Sequence, residues 1–154
     1  MLSQKHLEVL GIIYDKLNGA DINWVITGST AFAIQGIPLE PNDIDIQTDE
    51  KGAYEIEKYF NEYVVKKVCF SSNEKVASHF GALEIDGLKV EIMGDLRKKV
   101  NDIWEEPVDL DRYKKYAVVN EMKVPVLDLE YEYQAYLKMG RKEKAELIKK
   151  YISI

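Results

Sequence analysis

Asp43 and Asp45 stand two residues apart in the run Asn-Asp-Ile-Asp-Ile, and a Gly28-Ser29 pair ends fourteen residues before Asp43. In an extended chain residues i and i+2 project to one face, so both carboxylates point one way and Ile44 and Ile46 the other. Two neighbouring carboxylates repel unless a cation lies between them. Hard oxygen ligands with no His or Cys nearby favour Mg²⁺ or Mn²⁺. The same alternation also describes a solvated strand face above buried isoleucines, and a bare Asp-x-Asp does not separate the two readings.

A third acid, Glu91, lies in Leu88-Lys89-Val90-Glu91-Ile92-Met93 and projects away from the side that Val90 and Ile92 bury. Beside the Asp43–Asp45 strand it would complete a cluster able to hold two metals across an in-line displacement. One acid would then be placed to take an acceptor's proton. Otherwise Glu91 is an exposed glutamate paired with Lys89 or a neighbour. Gly28-Ser29 follows a β-branched run and opens a short helix, where free N–H groups and a bare glycine admit phosphate. An ordinary turn with Ser29 as N-cap fits the same residues.

The elements that must position these groups follow from periodicity. Leu7, Leu10, Tyr14 and Leu17 share a helical face, predicting a helix over 3–18 that Asn18-Gly19 stops. Strands are expected at 22–27 and 43–48, with a short helix over 30–35 between them and another over 50–60. Three more strands, 63–70, 77–85 and 88–93, follow, the last two joined by a tight Asp86-Gly87 turn. Residues 96–113 give no clear pattern, with Pro107 breaking any long helix. A hairpin of 116–119 and 123–126 around Asn120-Glu121-Met122, a helix after Asp128 and a last helix over 142–151 complete the chain. The expected class is α/β (α+β): a mixed sheet with helices packed on it and a C-terminal helical tail, residues 1–154 forming one domain.

Composition sets the outer limits. The chain has 154 residues, 46% of them hydrophobic and 31% charged, with a single cysteine, Cys69, that excludes an internal disulfide framework. It shows no signal-peptide pattern and no run of about 20 apolar residues, so a cytoplasmic protein without membrane association is expected. The net charge of −6 disfavours extended nucleic acid as a partner. Residues 138–150 nevertheless carry a local +4, a distribution suited to a small phosphorylated ligand.

Taken in order, Trp-Val-Ile-Thr-Gly-Ser-Thr-Ala-Phe-Ala-Ile-Gln-Gly, Asn-Asp-Ile-Asp-Ile and Val-Glu-Ile resemble the DNA polymerase β-like nucleotidyltransferase superfamily. Small members, the lincosamide and aminoglycoside nucleotidyltransferases and the AbiEii-type toxin nucleotidyltransferases, are most similar. The resemblance covers residues 22–93 well and 123–150 loosely. It implies transfer of an NMP, AMP by expectation, from an NTP such as ATP to a hydroxyl of a small molecule or protein. Asp43, Asp45 and Glu91 would be catalytic and bind Mg²⁺ or Mn²⁺, while Gly28, Ser29, Lys138 and Arg141 would hold the nucleotide. A homodimer or a toxin–antitoxin partner is compatible with it. The rival from another class is a non-catalytic nucleotide- or partner-binding module.

Three departures qualify the likeness. Glu91 stands where Asp is commoner, Thr-Ala-Phe follows Gly-Ser in place of Ala-Arg-Gly, and Ala145-Glu146 replaces a frequent Lys-Asp. Among other residues, His79 is a candidate acceptor contact but reads better as a packed or surface histidine. Arg97-Lys98-Lys99 reads most simply as a solvated turn, with phosphate contact as the other option.

Overall fold

The computed structural model describes residues 2–152. Helix α1 (Gln4–Leu17) begins where the Ser3 hydroxyl accepts the His6 N–H at 3.1 Å, a side-chain cap of the usual kind. Strand β1 (Trp24–Thr27) runs straight into α2 (Gly28–Ile34), and β2 (Ile44–Thr48) into α3 (Glu50–Tyr59), which Asp49 caps by accepting the Gly52 N–H at 2.7 Å. Strands β3 (Val64–Ser72), β4 (Val76–Ile85), β5 (Leu88–Val100) and the short β6 (Ile103–Trp104) follow. A single turn of helix, α4 (Leu110–Tyr113), leads to the hairpin of β7 (Lys114–Val119) and β8 (Met122–Leu127). The chain then closes with α5 (Leu129–Lys138) and α6 (Lys142–Lys149).

The strands form one mixed sheet in the order β3-β4-β5-β2-β1-β8-β7, with β6 paired to β5 outside that path. β2 is parallel to β5 and β1 to β8, while the remaining pairs are antiparallel. This is the mixed sheet with packed helices and a helical tail that the sequence implies. Ile26, Ile44, Ile46, Val90 and Ile92 are fully buried beneath Val9, Leu10 and Ile13 of α1 and Ile56 of α3. Each such aliphatic side chain contributes roughly 1.5–3 kcal/mol through burial, so this face anchors the central strands. On the opposite face Val25 and Leu127 pack with Leu110 and Tyr131, and Phe32 and Ile37 pack with Ile148 of the tail.

Two segments depart from expectation, both for reasons of backbone geometry. β5 runs to Val100 rather than Met93 because it absorbs an extra residue: between the pairs His79↔Gly94 and Ala77↔Arg97, Ser78 faces both Asp95 and Leu96. Asp95 takes φ +49° at this bulge. An inserted residue flips side-chain parity, so Leu96 and Lys98 face the side that Glu91 and Met93 occupy upstream. Asn101 and Asp102 then adopt φ +53° and +63°, the paired positive values of a tight hairpin turn, and start β6 where no pattern was legible. Asn120 and Glu121 turn the same way, which leaves Met122 inside β8 rather than in the turn.

Candidate active site

The register of the central strands brings the acids together. Asp45 of β2 is paired with Glu91 of the parallel β5 on one side and with Thr27 of β1 on the other. Asp43 lies one residue ahead of β2 rather than within it. Its carbonyl leaves the ladder to accept the Thr30 hydroxyl at 2.6 Å and the ring N–H of buried His6 at 3.1 Å, so α2 and α1 both fix this residue. One oxygen from each of Asp43, Asp45 and Glu91 lies within 4.8 Å of the others. Glu91 also pairs with Lys89 at 3.3 Å, so cluster and surface ion pair coexist.

Among the described residues, Asp45 Oδ1 is a buried side-chain oxygen with no hydrogen-bond partner. Burial, then the charges of Asp43 and Glu91, push the Asp45 carboxyl up to about 7. An acceptor-only oxygen in that position wants a cation, and a set of three carboxylates is a hard-oxygen donor set suited to Mg²⁺ or Mn²⁺. The residues therefore fit a divalent metal.

Gly28 is held against this cluster. Its φ is +69°, and a methyl group on it would lie 2.7 Å from Asp45 Oδ2, so a side chain is excluded by conformation and by space. The sequence reading missed what lies behind this turn. Glu132 of α5, only 5% exposed, accepts the Thr27 hydroxyl at 2.8 Å through Oε1 and the Gly28 N–H at 3.2 Å through Oε2. Burial raises its carboxyl to about 7 against the pull of those two hydrogen bonds. Gln47 adds an amide donor 3.4 Å from the Thr27 hydroxyl. Ser29, partly exposed, makes no side-chain hydrogen bond among the described residues.

A cavity of about 240 Å³ opens beside Gly28 and Asp45. Met93, Leu96 and Leu127 give it an apolar side, while Lys98 and Arg141 bring cations. Arg141, exposed at the rim, stacks over Tyr136 at 5.0 Å. Lys138 does not line this cavity. It lies in the adjoining groove with its ammonium 3.1 Å from Glu105. His79 is on the other face of the sheet, bonded to Tyr54 of α3 at 3.0 Å and 3.4 Å from Glu50, as a packed histidine. Lys98 is the other residue the sequence reading misplaced: the bulge and the long β5 bury a lysine that looked like part of a solvated turn.

This sheet, with its paired acids and glycine turn, defines a nucleotidyltransferase fold. The match to the family model of aminoglycoside-2''-adenylyltransferases runs over residues 9–150, and the chain belongs to that family of nucleotidyltransferases. A Thermotoga maritima protein crystallised as a candidate nucleotidyltransferase is 61% identical, over 98% of this chain and 94% of that one, with a TM-score of 0.88. ANT(2'')-Ia, solved with adenylyl-2''-tobramycin, is 11% identical over 94% and 88% of the two chains, with a TM-score of 0.62. The lincosamide adenylyltransferase LnuA, solved with lincomycin, is 12% identical over 98% and 99%, with a TM-score of 0.60. The last two establish likeness of fold alone. No curated protein matches the sequence. No helix among the described residues is long and apolar enough to cross a membrane.

Proposed function

We propose that the protein transfers an NMP, AMP from ATP in the first instance, to a hydroxyl of a small polyhydroxylated molecule and releases pyrophosphate. The observation that carries this reading is the meeting of Asp43, Asp45 and Glu91 within 4.8 Å, with an unpartnered oxygen on Asp45, the member of the cluster that lines the cavity. The three carboxylates would hold Mg²⁺ or Mn²⁺, which when bound supplies charge stabilisation to phosphoryl oxygens. Glu91, partly exposed beside Lys89, takes the proton of the acceptor hydroxyl. The hydroxyl oxygen bonds to the α-phosphorus, and the bond to the bridging oxygen of pyrophosphate breaks. Gly28 and Ser29 border the triphosphate, with Arg141 at the rim; Lys138 would reach it only by leaving Glu105. Residues 1–154 act in this reading as one domain, in the cytoplasm, where ATP and Mg²⁺ are supplied.

The test is pyrophosphate release from ATP, CTP, GTP and UTP with Mg²⁺, against a panel of aminoglycosides, lincosamides and other polyhydroxylated acceptors. One NTP and one acceptor class should give product, and Asp45→Asn should abolish it. Metal-dependent NTP binding without pyrophosphate release for any acceptor would replace this reading with a non-catalytic binding module. No NTP binding at all would remove the nucleotide from the account.

A further inference from the structure

A triphosphate in this cavity needs cationic partners, and the cations nearby differ in availability. Lys138 is engaged by Glu105 outside the cavity, and Arg141 lies exposed against Tyr136. Lys98 is different: it is 5% exposed, and its ammonium donates to the Tyr131 hydroxyl at 2.8 Å while lying 5.2 Å from that ring. An ammonium has three donors, and the Tyr131 oxygen takes one. Among the described residues no carboxylate comes within the 4.0 Å of an ion pair with Lys98. Glu105 and Glu132 act on it only at longer range, too weakly to offset the burial that lowers its pKa.

A buried charge without a counter-ion is costly, and proteins ordinarily pair it. Lys98 instead faces a cavity it shares with Gly28 and Asp45. The main-chain donor that would otherwise greet a phosphate is closed, because Glu132 already accepts the Gly28 N–H. A buried carboxylate at that point also repels an incoming anion. The seven-residue α2 adds little of its own.

Resting on the nucleotidyl-transfer reading, we propose that Lys98 is the phosphate-binding cation of this cavity, held by Tyr131 and aimed by the bulge at Asp95 to take a terminal phosphate of the nucleoside triphosphate. The role that chain-end likeness would give to Lys138 thus passes to a residue on β5. The polar partner Tyr131 holds the ammonium in place without neutralising it, leaving the charge available to the ligand.

Calorimetric titration of the full chain with ATP, inorganic tripolyphosphate and Mg²⁺ alone tests this, on wild type, Lys98→Gln and Lys98→Met. The glutamine variant keeps a donor for Tyr131 and carries the measurement if the methionine variant does not fold. Loss of one charge-assisted phosphate contact should weaken Mg²⁺-ATP and Mg²⁺-tripolyphosphate by about ten- to a hundredfold. Mg²⁺ alone should bind the variants at least as tightly as the wild type, since each variant removes a cation from the cavity that Asp45 borders. Unchanged ATP and tripolyphosphate binding would overturn the assignment while leaving nucleotidyl transfer standing. Parallel loss of phosphate and Mg²⁺ binding would overturn it in favour of a packing role. Absence of ATP and tripolyphosphate binding in the wild type would overturn both.

Discussion

Replacing Glu132 by glutamine isolates the electrostatic cost of the buried carboxylate behind Gly28. In the folded protein this carboxyl has its pKa at about 7, against 4.5 for an ordinary glutamate. An acid that holds its proton more tightly when folded favours the folded state at low pH. That contribution is lost as pH rises from the unfolded value to the folded one. The shift is worth about 3 kcal/mol at 1.36 kcal/mol per unit, of which roughly 2–3 kcal/mol falls between pH 5 and pH 8. Glutamine can still accept the Gly28 N–H and can donate to the Thr27 oxygen, so the hydrogen bonds are largely retained while the titration disappears. Urea unfolding of the metal-free wild type and Glu132→Gln at pH 5, 6, 7 and 8 gives the readout. The stability of the variant relative to wild type should climb by roughly 2–3 kcal/mol across that range. A pH-independent difference between the two would refute the reasoning and mean that Glu132 stays neutral, or stays solvated, throughout.

Asp45→Asn should raise metal-free stability at pH 8 by roughly 1–3 kcal/mol, with the gain fading towards pH 4, because the same sign applies to a carboxyl raised to about 7; chemical denaturation checks it. The same variant should lose the thermal stabilisation by Mg²⁺-ATP expected of the wild type, about 2.7 kcal/mol at a hundredfold excess over Kd. Gly28→Ala places a methyl 2.7 Å from Asp45 Oδ2 at φ +69°, so it should destabilise by about 1–3 kcal/mol and remove metal-dependent nucleotide binding, as differential scanning fluorimetry with and without Mg²⁺ would register. Gly94→Ala puts a methyl 2.7 Å from the Asp49 carbonyl where α3 packs on β5; it should lose about 1–3 kcal/mol by overpacking yet keep Mg²⁺-ATP binding in the same assay.

The parts of the site carried by local alternation were legible in the sequence. Isoleucines flanking Asp45 and the Val90–Ile92 pair around Glu91 fixed which way each acid points, and Gly28-Ser29 marked the strand-to-helix turn. That Asp45 and Glu91 become neighbours depends on parallel pairing across the sheet, which no local pattern encodes. Glu132 was invisible for the same reason: on an amphipathic helix a glutamate reads as solvent-facing, and only the packing of α5 over β1 buries it. Lys98 was misread because one extra residue at Asp95 inverts the alternation, and three consecutive cations look like surface. The Asn101-Asp102 turn lacked a glycine, the usual sign of a tight hairpin, although Asn and Asp both tolerate positive φ.

The parallel pairing of β2 with β5 also sets an order of events in folding. The neighbours β3, β4 and β5 are joined in sequence by short turns, so their antiparallel ribbon can assemble from local contacts. Asp45 and Glu91 meet only when a long intervening segment has been closed into a loop, a step whose entropy must be met before the pairing returns anything. Repulsion among the acids opposes that closure at neutral pH. The carboxylate cluster is therefore expected to be among the last contacts made, and the refolding rate should respond to acidity through this step more than through any hairpin.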